Sequence, residues 1–202
     1  MNQPVANEWG DFVDYSRAGL EAANFQGFIA LETLTRADVL GARGSADVEG
    51  VYVVLRPSRT RPNFIEDDHP NPRLPVMSTE AVADRWPEEN PEILYIGKAP
   101  LRGEEGERRN GLANRLREFQ RCGFSGGANH FGGRLVWRIA DRDSLLICWK
   151  FLPEGTAADI ESLMITEFRK SNVRHFPPFA NIDAPKKFPS QGLFQLIAAM
   201  RC

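Results

Sequence analysis

A chain of 202 residues with 42% hydrophobic and 26% charged content lies in the range of ordinary globular domains, which argues against a disordered or low-complexity protein and allows one sizeable core. The formal net charge of -2 excludes a globally basic polyanion binder, so contact with nucleic acid would rest on a local positive strip. No window approaches the ~18 apolar residues that cross a bilayer, no basic-then-apolar leader opens the chain, and Cys122, Cys148 and Cys202 show no CxxC spacing. A soluble, cytoplasmic protein without membrane partner, disulfide framework or zinc knuckle is therefore expected.

In chain order, Trp9 to Thr35 shows weak helical spacing and predicts a helical cap within an N-terminal extension, residues 1–48. Gly50 to Leu55 (GVYVVL) is β-branched and aromatic, and it reads as a buried strand ended by Arg56-Pro57. Seven of the 14 prolines fall between Arg56 and Pro91, a density that forbids a regular sheet and predicts a large loop, residues 56–91, inserted between two paired strands. The second of those strands is Glu92 to Ala99 (EILYIGKA).

A helix follows over Leu112 to Arg121, with Leu112, Leu116 and Phe119 on one face. At ~100° per residue Arg115 falls inside that apolar stripe, while Arg117 and Arg121 point away from it. A glycine-rich turn then leads to RLVWRI and SLLICWKFL, which predict a hairpin with Trp137 and Trp149 as packing residues. Thr156 with Asp159 opens a helix whose stripe is Ile160, Leu163, Met164 and Phe168. Glu161 lies at the rim of that stripe, where a carboxylate needs a partner, and Glu167 projects near it as well. Residues 185–202 read as a C-terminal extension with a short apolar helix, Leu193 to Met200.

Several signals carry no chemistry. The Gly-Lys of GKA lacks the Ser/Thr and the upstream glycine of a phosphate loop, His69, His130 and His175 have no ligand spacing, and no GxSxG elbow occurs. What remains is an order: Gly50-Val51-Tyr52, then Tyr95-Ile96-Gly97-Lys98-Ala99, then Leu112-Ala113-Asn114-Arg115-Leu116, then Ile160-Glu161-Ser162-Leu163, and finally Pro177-Pro178-Phe179-Ala180-Asn181. Each fragment is common alone. Together, over residues 49–184, they resemble the GIY-YIG nuclease superfamily, with a longer connection between the first two motifs than that family usually has.

The resemblance implies an α+β fold: a small central sheet of three or four mostly antiparallel strands flanked by helices, with N- and C-terminal helical additions. It also implies a metal-dependent DNA endonuclease acting in restriction, phage defence or repair. Glu161 would be the single protein ligand of Mg2+ or Mn2+, a donor set suited to a cation that keeps much of its water. Arg115 would hold the scissile phosphate, Tyr95 with Tyr52 would orient the attacking water or accept its proton, and Asn181 would position Glu161 or the nearby strand. Gly97 would let substrate approach the backbone, and Lys98, Arg117 and Arg121 would contact phosphates, beside Arg108 and Arg109. The DNA partner could be met by a homodimer or by a larger complex with a recognition subunit.

One departure matters. Where relatives often carry a histidine one turn after the arginine, this chain has Phe119, which leaves Tyr95 as the favoured base and His130 in reserve. Plainer readings stand beside these: two strand aromatics in a core, a helix-face ion pair for Arg115, a paired carboxylate for Glu161, a strand-end charge for Lys98 and a turn cap for Asn181. On those readings the chain is a catalytically silent module that binds nucleic acid or a protein partner.

Overall fold

The computed structural model of the chain describes residues 15–40, 48–66, 77–101, 111–124 and 131–181. Four strands form one sheet: β1 (Gln26–Ala30), β2 (Gly50–Leu55), β3 (Ile93–Ala99) and β4 (Leu146–Phe151), in the spatial order β1-β4-β2-β3. Every neighbouring pair is antiparallel, as the expected fold class requires. The run Val51-Tyr52-Val53-Val54 is β-branched and aromatic, and all six residues of β2 are buried, as befits a strand flanked on both sides.

The period of two along β2 divides the core. Tyr52 and Val54 face α4 (Leu112–Phe124) and α5 (Phe131–Val136), where Leu112, Leu116, Phe119 and Leu135 pack with Tyr95 and Ala99 of β3. Val51, Val53 and Leu55 face the opposite way, onto Ile160, Met164 and Phe168 of α6 (Ala157–Ser171) and Leu20 of α1 (Arg17–Ala22). Each helical layer thus covers one side of the sheet. Among the described residues, no helix is long and apolar enough to cross a membrane.

Two expectations give way here. The helical cap expected over Trp9 to Thr35 is helical only in α1 and a 3-10 turn; between them the chain turns at Asn24 (φ 62°) and enters the sheet as β1 beside β4, while residues 9–14 lie outside the described part. A bulge between Gly27 and Ile29 hides the alternation, and Gly27, at φ 99°, leaves the room that the Trp149 ring fills. RLVWRI, expected as a strand, begins in α5 instead. Its Trp137 packs over Gly123 of α4, where a Cβ would collide with the indole, and donates from Nε1 to the carbonyl of Phe119 at 3.1 Å. Helix-on-helix packing therefore consumes apolar residues that the sequence offers equally to a strand. SLLICWKFL does supply a strand, but β4 pairs with β1 and β2 rather than with a hairpin partner.

The proline-rich connection does link two paired strands, as expected, and also carries α3 (Thr79–Asp84), capped by Ser78 Oγ. It is fastened by two buried arginines. Arg56 bonds Asp141 at 2.8 Å and the carbonyls of Ser58 and Thr60, with its guanidinium over the Trp86 ring; Arg138 donates to the carbonyls of Ile65 and Met77 and to Thr79 Oγ1. α2 (Arg36–Leu40) packs against α4. The expected C-terminal helix, Leu193 to Met200, lies outside the described residues.

Glu49, just ahead of β2, joins three elements. Its Oε1 accepts from the backbone of Ala157 at 2.6 Å, its Oε2 from Leu101 at 3.2 Å, and its own carbonyl accepts from Leu152 at 2.9 Å. The N-terminus of α6 is therefore capped by a distant carboxylate, whereas the expected cap, Thr156, makes no side-chain capping bond. Glu49→Ala would leave buried N–H groups without acceptors, and urea unfolding should show a loss of about 2–3 kcal/mol. A change within about 0.5 kcal/mol, the range of inconsequential surface substitutions, would contradict this role.

Candidate active site

The outer edge of β3 organises the site. In an antiparallel pair, residues alternate between turning their N–H and C=O toward the partner strand and turning them away. Ile96, opposite Val53, turns both groups outward, and Asn181 meets them: Oδ1 accepts from the Ile96 N–H at 2.9 Å and Nδ2 donates to its carbonyl at 2.8 Å. The amide acts as one residue of a missing strand. The Pro178–Asn181 turn is docked beside it by Ala180 N–H to the Leu94 carbonyl and closed by Asn181 N–H to the Pro178 carbonyl, both 2.9 Å.

Two residues along, Lys98 is the next outward-turned position, and its side chain meets Glu161 of α6. The Glu161 Oε2 lies 2.8 Å from Lys98 Nζ. Glu161 is 16% exposed and Lys98 37%. Burial pushes the Glu161 carboxyl above its ordinary range, against the opposing pull of the Lys98 bonds and charge and of Arg115.

Between these positions lies Gly97, in register with Tyr52. A Cβ on Gly97 would meet Tyr52 Cζ, Tyr52 Oη at 2.6 Å and Tyr95 Cε1 at 2.7 Å, so the glycine makes room for the two phenols. The ring of Tyr52 lies 5.8 Å from that of Tyr95, and the two hydroxyls are hydrogen-bonded. Tyr52 is wholly buried and Tyr95 is 9% exposed. Burial drives the Tyr52 hydroxyl well above its ordinary pKa; the Tyr95 charge adds to this, the Arg115 charge opposes it and the Glu161 charge reinforces it.

Arg115 projects from α4 toward the same phenols, with Nη1 bonded to Glu118 Oε2 at 3.0 Å. Burial lowers its guanidinium pKa, but Tyr52, Glu118 and Tyr95 outweigh that and hold it above the ordinary value. One turn on, Phe119 stacks on Tyr95 (5.7 Å, 23°) and meets Tyr52 edge-on at 5.9 Å, so the position where a histidine was expected in relatives is a packing ring.

Tyr52, Tyr95 and Arg115 thus lie on the α4 side of the sheet beside Gly97, the Lys98–Glu161 pair lies on the α6 side with its charge felt at Tyr52, and Asn181 fastens the adjoining residue of β3. Arg117 and Arg121 are exposed on α4, two and six positions after Arg115, and so project away from it. Arg108, Arg109 and His130 lie outside the described residues. Glu118 and Glu49 were missed: Arg-x-x-Glu is a readable i,i+3 pair, but nothing in the sequence marks Glu49 as a cap.

The donor set bears on a metal. Among the described residues no three His, Cys, Asp or Glu side chains converge. Glu161 alone offers a carboxylate beside the phenols, and one carboxylate fits a hard, largely hydrated dication. That oxygen already faces a cationic group, the Lys98 ammonium.

Three outcomes follow from this geometry. Asn181→Ala leaves the Ile96 N–H and C=O unpaired at a buried edge and should cost about 2–4 kcal/mol in chemical denaturation, whereas a surface turn residue would cost almost nothing. Gly97→Ala must displace the phenols and should cost about 1–3 kcal/mol by the same measurement; a neutral result would mean that the rings are loosely held. For Glu161, a folded pKa above the unfolded one means that the fold holds the proton more tightly, so its contribution is present at low pH and lost as pH rises through the folded value. Glu161→Gln should therefore melt above the parent near pH 8, with the gap closing toward pH 4. A variant less stable at pH 8 would show instead that the Lys98 pair is a net stabiliser.

Neither a protein-family model, nor a curated protein, nor a solved structure matches this chain.

Proposed function

We propose that the chain is a divalent-metal-dependent endonuclease of the GIY-YIG type that hydrolyses phosphodiester bonds in DNA. What supports this reading is that Tyr52 and Tyr95 pack at Gly97, that Lys98 of the same strand pairs with Glu161, and that Tyr52 is coupled electrostatically to both Arg115 and Glu161. Packing alone needs none of those charges.

Phosphodiester hydrolysis asks for a cation at the non-bridging oxygens, an oriented water and a sink for its proton. Arg115, one-third exposed, would hold the phosphate by exchanging its bond to Glu118 for one to a phosphoryl oxygen. Tyr95, which retains an exposed fraction, would contact the water; Tyr52, enclosed and bonded to Tyr95, acts through it as a positioning residue. Glu161 would hold Mg2+ or Mn2+, which when bound supplies Lewis acidity and an acidified water. Asn181 keeps β3, and with it Tyr95 and Lys98, in place.

A second reading is a catalytically silent module that binds nucleic acid or a protein partner. It is favoured by a specific observation: Arg115 and Glu161 are each paired within the fold, Tyr52 is sealed, and Phe119 stacks on Tyr95.

Circular plasmid incubated with Mg2+ separates the two. The nuclease reading expects nicked or linear product, reduced roughly 100-fold or more by Arg115→Ala or Glu161→Gln, with both variants folded. A wild-type chain that retards DNA in a gel yet leaves plasmid intact with Mg2+ and Mn2+ overturns it in favour of the silent module.

A further inference from the structure

We infer that Lys98 is a built-in competitor for the cation at Glu161, so that a divalent metal enters by displacing the Lys98 ammonium from the carboxylate. This rests on the reading of the site as a metal-dependent nuclease. Among the described residues, Glu161 is the only carboxylate in the cluster apart from Glu118, which holds Arg115, and its Oε2 is 2.8 Å from Lys98 Nζ. Two cations cannot share one mostly enclosed carboxylate at that range without strong mutual repulsion.

The two partners differ in freedom. Glu161 is 16% exposed and rides on α6, which packs against β2 and β3, so it stays in place whichever cation it carries. Lys98 is 37% exposed and ends a flexible four-carbon stem, so its head can leave for solvent while its backbone remains in β3. The exchange therefore moves one ammonium and no element of the fold. No covalent step is involved: one ion pair breaks and a metal–carboxylate contact forms.

Two measurements test it. Mn2+ binding, followed by the electron paramagnetic resonance of the free ion, should be about tenfold or more tighter for Lys98→Met than for wild type, because one unit of like charge is gone. Adding Glu161→Gln to Lys98→Met should abolish that binding. In the wild-type protein, nitrogen NMR of the lysine ammonium groups should show Lys98 moving toward the signal of a solvent-exposed lysine along the Mg2+ saturation curve; this arm needs no variant and decides the matter if Lys98→Met does not fold. Equal Mn2+ affinity in both proteins, still dependent on Glu161, overturns the competitor and leaves the nuclease reading standing. A Lys98 signal that ignores saturating Mg2+ does the same. Absence of Mn2+ binding in both proteins overturns the competitor together with the metal assignment.

Discussion

An edge strand of a sheet leaves every second residue with its N–H and C=O turned outward, and buried groups of that kind need partners. In this fold β3 is such a strand, and the turn that ends in Asn181 answers it: the Asn181 amide at Ile96 and the Ala180 N–H at the Leu94 carbonyl, while Lys98, next along, pairs through its side chain with Glu161. Most of the site follows from that constraint. The Glu161 charge is felt by Tyr52 across the sheet, although the Tyr52 ring packs on the α4 side and α6 covers the other. Gly97, next to the satisfied Ile96, keeps the strand thin enough for the phenols to lean over it.

The electrostatics are those of a group that the core encloses only in part. Burial disfavours the charged forms of Tyr52, Glu161 and Arg115 alike, and each is offset by another member of the cluster or its immediate pair. Arg115 opposes the rise at Tyr52 and at Glu161, and the phenols in turn support the charge on Arg115. Such mutual dependence of a phenol, a guanidinium and a carboxylate is unusual in a purely structural contact and common where charge must be handled during a reaction. The same pairing leaves each group occupied in the free protein, so a substrate or metal would bind by exchange.

The sequence made the central parts legible because their signals are local. GVYVVL and EILYIGKA carry β-branched and aromatic runs with turn residues at their ends, and the helices bearing Arg115 and Glu161 have apolar stripes of the right period. The inward aim of Arg115 and the rim position of Glu161 follow from that period alone. What failed was decided by distant contacts. Whether Leu135, Val136 and Trp137 belong to a strand or a helix depends on Gly123 in α4, and β1 is a strand because β4 offers it a partner beyond a bulge. Glu49 is an ordinary acid until Ala157 and Leu101 come to it. That Gly97 makes room for the Tyr52 ring is likewise set by a cross-strand neighbour distant in sequence.

The central claim is spatial, that one carboxylate and one guanidinium at this sheet edge receive a metal and a phosphate together. A crystal structure with Mn2+ and a non-hydrolysable DNA analogue tests it most directly. The expected result is an anomalous peak about 2.0–2.2 Å from a Glu161 oxygen, near the bond length of a hard dication to carboxylate, with a backbone phosphate of the DNA against Arg115. A metal bound elsewhere, or DNA lying on another face while Glu161 keeps its pairing with Lys98, would contradict it.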